Sequence, residues 1–515
     1  MSDTHGISRR DFLAGAVVSA AAAGLAGCSK SASAGTSTGV PTKWDKEADV
    51  VVLGSGVAGH IAACTAAESG ASVLMLEKAN VPGGDTALCK CIVLGCWPAR
   101  TEKDGGKKDT VESYLEDWKA SYPYSRFAQL GRPAPTDYPF STRQAEAAAP
   151  VYEWLEETVG IKWEPMYVNA IFPALWDTVE PRIWVASNGM IPPLAEYAGK
   201  LGIEIVLGTP ATSLIANSDG RIVGVRALDA GGDALVVKAN KAVVVATGNY
   251  ISGRDMVARY MPSLASLAPT GSPTNTGDGC KIVEEIGGAL KEMDLGTHHF
   301  IFGLGSSWSV FYSWYAYGGS NAQPPGILVN YDGKRFIGES LGYSLTGLAI
   351  GQQKCGMAFY IVDSTGDAAK NVLTQGNPGS DIVLSANTLE ELAAHMGVDA
   401  AAFVAEVAKY NGYVQSGEDP DCGKNMTGTT TIATPPFYAM PCADSPYQTY
   451  GGIATDLDSH VLNAQGDIIP GLYAVGTCTG VYACQEGVYY DGGVIQGMVF
   501  GRQTGTGAAA EEAWV

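Results

Sequence analysis

Residues 48–77 admit few folds. Ala48-Asp49-Val50-Val51-Val52-Leu53 is an apolar, strand-like run ending at Gly54-Ser55-Gly56-Val57-Ala58-Gly59. An alanine-rich helical stretch from His60 to Ser69 follows, stopped by Gly70. A second strand, Ser72 to Leu76, ends at Glu77, 23 residues after Gly54. This order is the βαβ unit of dinucleotide binding. Gly54 makes the turn, Gly56 lets a pyrophosphate approach the backbone, and Gly59 lets helix pack on strand. The helix N-terminus meets the phosphates with its partial positive charge, and Glu77 accepts from the ribose hydroxyls. A glycine-rich turn without a nucleotide is the competing reading, and the matched context weighs against it.

The rest of the chain is long enough to build around this unit. Its 515 residues amount to two to four domain equivalents. With 46% hydrophobic and 17% charged residues it is globular, not disordered. A net charge of −20 excludes a phosphate-neutralising face for nucleic acid and electrostatic attachment to anionic lipid. The 65 glycines, without a collagen period, fit many tight turns and close backbone approaches. Six histidines, none in a ligand spacing, argue against a protein-built metal site.

The N-terminus is an address. Ser8-Arg9-Arg10-Asp11-Phe12-Leu13 resembles a twin-arginine export signal, and the apolar run after it is shorter than the ~20 residues that span a bilayer. Leu25-Ala26-Gly27-Cys28 is similar to a lipobox, which would lipidate Cys28 at the outer face of the cytoplasmic membrane. Residues 1–28 are thus expected to be the signal and 29–43 a Ser/Ala/Gly/Thr-rich tether. An ordinary signal with a chance cysteine is the competing reading. Of the other ten cysteines, Cys89, Cys91 and Cys96 form C-x-C-x4-C, not a familiar iron–sulfur spacing. Most read as buried small hydrophobes, with a cluster on some of them left open.

Motifs farther along separate the possible cofactors. Pro82-Gly83-Gly84-Asp85-Thr86 follows the second strand directly. Residues 214–225 spell a hairpin, Val243-Val244-Val245-Ala246-Thr247-Gly248 a strand, and Thr276-Gly277-Asp278-Gly279 a turn. Gly333-Lys334-Arg335-Phe336 with Glu339 reads G-x-R-F-x-x-E, and residues 469–476 read I-P-G-L-Y-A-x-G. In this order the motifs resemble the FAD-dependent fumarate reductase/succinate dehydrogenase flavoprotein family over nearly the whole mature chain. The resemblance implies an α/β fold: a discontinuous Rossmann-like FAD-binding domain at 44–294 and 447–515, with an α+β capping domain inserted at 295–446. Helical spacing from Thr388 to Tyr410 independently places helix in the insert. By the resemblance FAD would be held by Gly54, Gly56, Ala58, Gly59, Glu77, Lys78, Gly83, Gly84, Asp85, Thr86, Ala211, Ala246, Thr247, Gly248, Asp278, Gly476, Gly492, Gly493, Val494 and Ile495. The early loop lacks a histidine, so FAD is expected to be non-covalent.

The substrate positions depart from fumarate reductase. The family's proton-donor arginine, four residues after the motif glutamate, falls on Tyr343. Its carboxylate-binding arginine before x-G-G falls on Tyr490, and the histidine of H-T-x-G-G on Gln448, near Gly451. His299 is the loose match to the remaining histidine. Two cations have become phenols, which leaves a dianion poorly compensated. Tyrosine at both places resembles the 3-ketosteroid dehydrogenases of the same superfamily, although the serines of their C-terminal segment are absent here.

The implied chemistry is reduction of a C=C conjugated to a carbonyl. Hydride would come from reduced FAD, Tyr343 would be the general acid, and Tyr490 would donate to the carbonyl oxygen. The substrate-binding set would be His299, Gln448 and Gly451. The aromatic run Trp308 to Tyr317 would wall an apolar substrate, with core packing the alternative. An exported enzyme has no NAD(P)H supply, so an external donor would deliver the electrons. The alternatives are a 3-ketosteroid-type dehydrogenase running in the desaturating direction and, from another class, a non-catalytic flavin electron carrier. Packed aromatics are the competing account of Tyr343 and Tyr490.

Overall fold

The computed structural model describes residues 39–514, apart from 90, 167–181, 303–324, 341–342, 366–382 and 489–492. The export motif, Cys28, the tether to residue 38, the aromatic run at 308–317, Tyr490 and Gly492 lie outside the described residues. No helix among the described residues is long and apolar enough to cross a membrane.

The run at 48–53 forms strand β1 (Lys46–Leu53), followed by helix α1 (Val57–Glu68) and strand β2 (Val73–Leu76). β1 and β2 pair in parallel from Val50↔Val73 to Leu53↔Leu76. β3 (Glu204–Val206) pairs in parallel with β2, and β4 (Ala234–Val245) with β1. The edge is completed much later in sequence by the antiparallel pair β5 (His460–Leu462) and β6 (Ile468–Ala474), of which β6 runs parallel to β4. The order is β5-β6-β4-β1-β2-β3, with the hairpin Ala211–Ala216/Ile222–Leu228 laid on β4. Strands this apolar must be covered on both faces. Val50 and Val52 enter one buried layer, and Val51 and Leu53 the other.

A second sheet comes from Phe300–Phe302, Ile327–Val329, Met357–Val362, Leu384–Ala386 and Phe437–Asp444, all antiparallel. Its strands alternate cleanly. Leu328, Ala358, Tyr360 and Met440 pack with Ile350 of helix α2 (Tyr343–Gly351). Ile327, Val329, Phe359 and Ile361 meet the helices on the opposite face. The single helical stretch expected from Thr388 to Tyr410 is two helices, Leu389–Met396 and Ala400–Ser416. Gly397, at φ 70°, ends the first, and the Asp399 carboxylate caps the second by accepting from Ala402 N.

The last helix, α3 (Gly493–Ala510), explains why α1 is buried from Val57 through Ala66. Gly497, Gly501 and Gly505 recur every fourth residue on one face of α3. A β-carbon there would stand 3.1 Å from Ala58 Cβ, 3.1 Å from Ile61 Cγ2 and 2.4 Å from the Ala62 carbonyl oxygen, respectively. The glycine stripe lets the helices close on each other and sets α3's N-terminus beside the glycine turn after β1.

Candidate active site

The cradle after β1 is made by what its residues lack. Gly54, at φ 102°, occupies a conformation that strains side-chain-bearing residues, and a β-carbon would meet the Ala246 carbonyl oxygen at 2.4 Å. One on Gly59 would lie 2.0 Å from the Gly54 oxygen, so helix and turn touch there. Gly56 differs. Its β-carbon would meet nothing nearer than Thr86 Oγ1 at 3.8 Å and the Gly83 oxygen at 3.9 Å. The space in front of it is bounded by the flavin-loop residues and faces the first turn of α1.

Glu77 is buried at the end of β2. Its Oε2 accepts from Ser55 N (2.9 Å) and Ser55 Oγ (2.6 Å), and its Oε1 accepts from Ala79 N (2.7 Å). A carboxylate has about four lone-pair positions, so capacity remains for ribose hydroxyls. Lys78 Nζ donates to Thr276 Oγ1 (2.8 Å) and Asp278 Oδ2 (2.6 Å), tying β2 to the T-G-D-G turn. Thr209 N donates to the Glu77 backbone carbonyl oxygen at 2.8 Å, which brings the segment leading into Ala211 alongside.

Asp85 anchors the loop from the other side. Its carboxylate accepts from Ser272 N (2.6 Å) and from the side-chain amides of Asn249 (3.2 Å) and Asn275. Burial pushes this carboxyl up from its ordinary value, and the three donors oppose that. Thr86 Oγ1 accepts from Val57 N at 3.2 Å, joining the loop to α1. A β-carbon on Gly248 would lie 2.5 Å from Asn275 Oδ1, and one on Gly476 2.7 Å from Ala58 Cβ. Ala246 lies across from Gly59. Gly493 opens α3 against Thr477, with Val494 and Ile495 packed on the core beneath.

Sequence reasoning missed Ser55, Ser272, Asn249, Asn275 and Gln496. Gln496 is fully buried. Its Nε2 donates to Gly480 O (3.0 Å) and Thr479 Oγ1 (3.1 Å), and its Oε1 accepts from Tyr482 N (2.7 Å), so it fixes α3 to the 476–480 turn. Only Ser55, inside the glycine motif, and Asn249, next to Gly248, carried a positional signal.

On the substrate side the fold brings His299, Gln448 and Gly451 onto adjoining segments. Thr297 N donates to the Gln448 backbone carbonyl oxygen at 3.1 Å, and the His299 ring meets Tyr447 edge-on at 5.6 Å. Gly451 is pressed onto the Glu292 carbonyl, 2.1 Å from where a β-carbon would be. Gln448 is buried, its Nε2 has no partner among the described residues, and its Oε1 lies 3.8 Å from the β-position of Gly493. Tyr343 opens α2, one turn before Gly347, whose β-position would fall 2.7 Å from the His299 backbone. The neighbouring His298 Nδ1 pairs with Asp444 Oδ2 at 2.7 Å. Among the described residues no group of three or more His, Cys, Asp or Glu side chains could hold a metal ion.

The cradle fits FAD by two observations. The open space before Gly56 adjoins the α1 N-terminus, and Thr247 Oγ1, at the end of β4, is buried without a partner among the described residues. A family model described as FAD binding domain matches residues 49–493. The chain belongs to the FAD binding domain family. This family member is 29% identical over 580 aligned residues to a digoxin reductase of Eggerthella lenta, covering 99% of this chain and 98% of that one. It is also 29% identical to a probable fumarate reductase of Shewanella frigidimarina, over 89% of this chain and 74% of that protein. Among solved structures it is similar to the 3-ketosteroid-Δ4-(5α)-dehydrogenase of Rhodococcus jostii RHA1 in complex with 4-androstene-3,17-dione. That match has 26% identity and a TM-score of 0.71, and covers 91% of this chain and 98% of that chain. The family member is an FAD-dependent oxidoreductase of the class acting on C=C and CH–CH bonds.

Proposed function

We propose that this protein is an exported reductase that saturates the C=C of an apolar enone, such as a polycyclic 3-ketosteroid, with FAD held non-covalently. The observation that carries the reading is Gln448. At the place where the resemblance to fumarate reductases expects a histidine, the site presents a neutral, buried amide whose Nε2 has no partner among the described residues, close to the start of α3. An uncharged donor suits a neutral carbonyl and compensates a dianion poorly. The relative named for digoxin and the structure holding 4-androstene-3,17-dione support the substrate class.

Reduced FAD supplies the hydride. Tyr343 holds the proton for the α-carbon, and Tyr490 donates to the carbonyl oxygen as enolate charge develops. The α3 N-terminus, from Gly493, adds its partial positive charge. The likeness to a steroid dehydrogenase favours a second reading, desaturation, in which Tyr343 begins deprotonated as the base. Cys28 anchors the chain at the outer face of the cytoplasmic membrane, and electrons come from an external donor. The chain divides into an FAD domain at 44–294 and 447–515 and a cap at 295–446.

The test is anaerobic reoxidation of photoreduced enzyme by a panel of enones, steroids, cinnamate-like acids and fumarate. Apolar enones are expected to reoxidise the flavin and fumarate to fail. Tyr343→Phe keeps its FAD and loses about 10²–10⁴-fold in single turnover, while Tyr490→Phe loses transition-state stabilisation and some binding. Rapid fumarate turnover, or wild-type rates in Tyr343→Phe, overturns the reading. Cys28→Ser is expected to release the exported protein from the membrane fraction.

A further inference from the structure

Cys89 and Cys91 sit at the end of the loop that carries Gly83 to Thr86. Their sulfurs are 3.9 Å apart, and both lie 3.5 Å from the Thr86 carbonyl oxygen. Cys91 N donates to Cys89 Sγ at 3.2 Å. Folding the chain back this tightly puts Cys91 at φ 53°, a region that a β-carbon disfavours. The shared acceptor, Thr86, is the residue whose hydroxyl receives Val57 N at the head of α1, so the pair is joined to the FAD cradle through one residue.

The two residues differ in exposure. Cys89 is exposed and Cys91 is buried. Cys96, third in the sequence cluster, packs elsewhere, in an apolar group with Tyr114 and Trp118. The fold thus assembles a pair here, and the reduction chemistry described above uses neither sulfur.

We infer that Cys89 and Cys91 are a redox-active dithiol through which an external dithiol carrier delivers two electrons to bound FAD. The carrier's thiolate attacks Cys89 Sγ, on the exposed residue of the oxidised pair. The S–S bond breaks and its electron pair leaves on Cys91. The carrier's second thiol then displaces Cys89 and departs as a disulfide, leaving both cysteines reduced once Cys91 takes up a proton. Passing electrons inward restores the bridge: two thiols give up two electrons and two protons, and oxidised FAD becomes FADH2.

The surroundings favour a bridge that is readily reduced. A bridge between residues two apart closes a small ring, and exposed or strained disulfides are the readily reduced ones. The inference rests on the FAD assignment alone and not on the substrate.

The experiment uses the holoenzyme. Samples equilibrated anaerobically with dithiothreitol or with diamide are denatured in N-ethylmaleimide, and the peptide bearing Cys89 and Cys91 is weighed. Two labels are expected after dithiothreitol. None are expected after diamide, with the peptide lighter by two hydrogens. In stopped flow, dithiothreitol bleaches the flavin band at least about tenfold more slowly in Cys89→Ser and Cys91→Ser than in wild type. Cys96→Ser bleaches like wild type, and dithionite bleaches all four proteins alike. Should Cys91→Ser lose its flavin, exposed Cys89→Ser carries the test. Two labels after diamide, equal dithiothreitol bleaching in wild type and Cys89→Ser, or iron bound in proportion to chain and lost with Cys89 each overturns the dithiol.

Discussion

The FAD cradle and the buried ion network of the second sheet are both closely packed, yet opposite principles hold them. The cradle works because atoms are missing: at Gly54 and Gly59 a single added carbon would strike backbone. The network works because every member is present. Arg335 donates to Glu339 (3.1 and 2.8 Å) and to Asp419 (2.8 Å), while Lys424 donates to the Gly326 oxygen at 2.6 Å. Glu339 also accepts from Leu328 N at 2.9 Å. The side chains of Arg335, Glu339, Asp419 and Lys424 are at most 1% exposed. Burial alone would lower Arg335, but the two carboxylates raise it above its ordinary value. The network clamps the chain four residues before α2, so the placement of α2 depends on charge balance. The cradle's depends on shape.

The sharpest way to break the comparison lies inside the cradle. Gly59→Ala puts a carbon 2.0 Å from backbone that cannot yield, so α1 must lift off β1. A loss of about 3 kcal/mol or more is expected even without FAD, seen in urea unfolding of the apo-protein, and purified protein should be colourless. Gly56→Ala adds the same carbon where the protein leaves 3.8 Å. Its apo stability should match wild type while FAD affinity drops, read by fluorescence titration. Equal damage from both would mean that Gly56 serves packing and not the pyrophosphate.

The next effect belongs to the network. Arg335→Met leaves Glu339 and Asp419 buried with Lys424 as the remaining side-chain cation beside them among the described residues. Breaking a buried pair from one side costs about 3–5 kcal/mol. The protein that still folds should retain FAD, because the cradle shares no residue with the network. A variant that stayed stable but lost its flavin would erase the distinction between the two regions.

The contrast also explains what the sequence made legible. The cradle is local: Gly54, Gly56, Gly59 and Glu77 lie within one βαβ unit, so their spacing states their geometry. Asp85 was readable as a loop residue, but its partners Asn249, Ser272 and Asn275 come from more than 160 positions away. Arg335 and Glu339 lie within one motif, whereas Asp419 and Lys424 join them only because the strands at 327–329 and 357–362 fold over the helix at 400–416. The helix break at Gly397 was likewise invisible to a 3.6-residue period that continues through it. Tyr490 and the aromatic run at 308–317 fall outside the described residues.

Lys424 offers a pH test of the network. Burial pulls its pKa from 10.5 down to about 8, although Glu339 opposes the fall. The folded protein therefore releases this proton near pH 8 and the unfolded chain near 10.5. Below pH 8 the cost of burying the charge is fully present. Between the two values the unfolded state binds more protons, so stability gains up to about 3 kcal/mol as pH rises. Tyrosines ionise in the same range, which makes the difference between proteins the proper measure. The unfolding free energy of wild type should rise between pH 8 and 9.5 relative to that of Lys424→Met, and parallel curves would place Lys424 in a better-solvated site than its burial implies.

The smallest effect joins the cradle to the substrate. Gln448 belongs to neither principle, since its amide is enclosed like the network but its Nε2 has no partner among the described residues. Removing a buried donor that bonds to nothing should not destabilise the free protein. Gln448→Leu should therefore unfold with wild type or slightly later, and its FAD content should be unchanged. If the amide waits for a substrate carbonyl, the loss appears only in turnover. One neutral hydrogen bond is worth about 1–1.5 kcal/mol, or roughly tenfold in kcat/KM for the enone. Burial without function predicts greater stability and the same kcat/KM. Measuring both quantities on one preparation separates the two outcomes, because the substrate reading requires the kinetic loss to occur without a structural one.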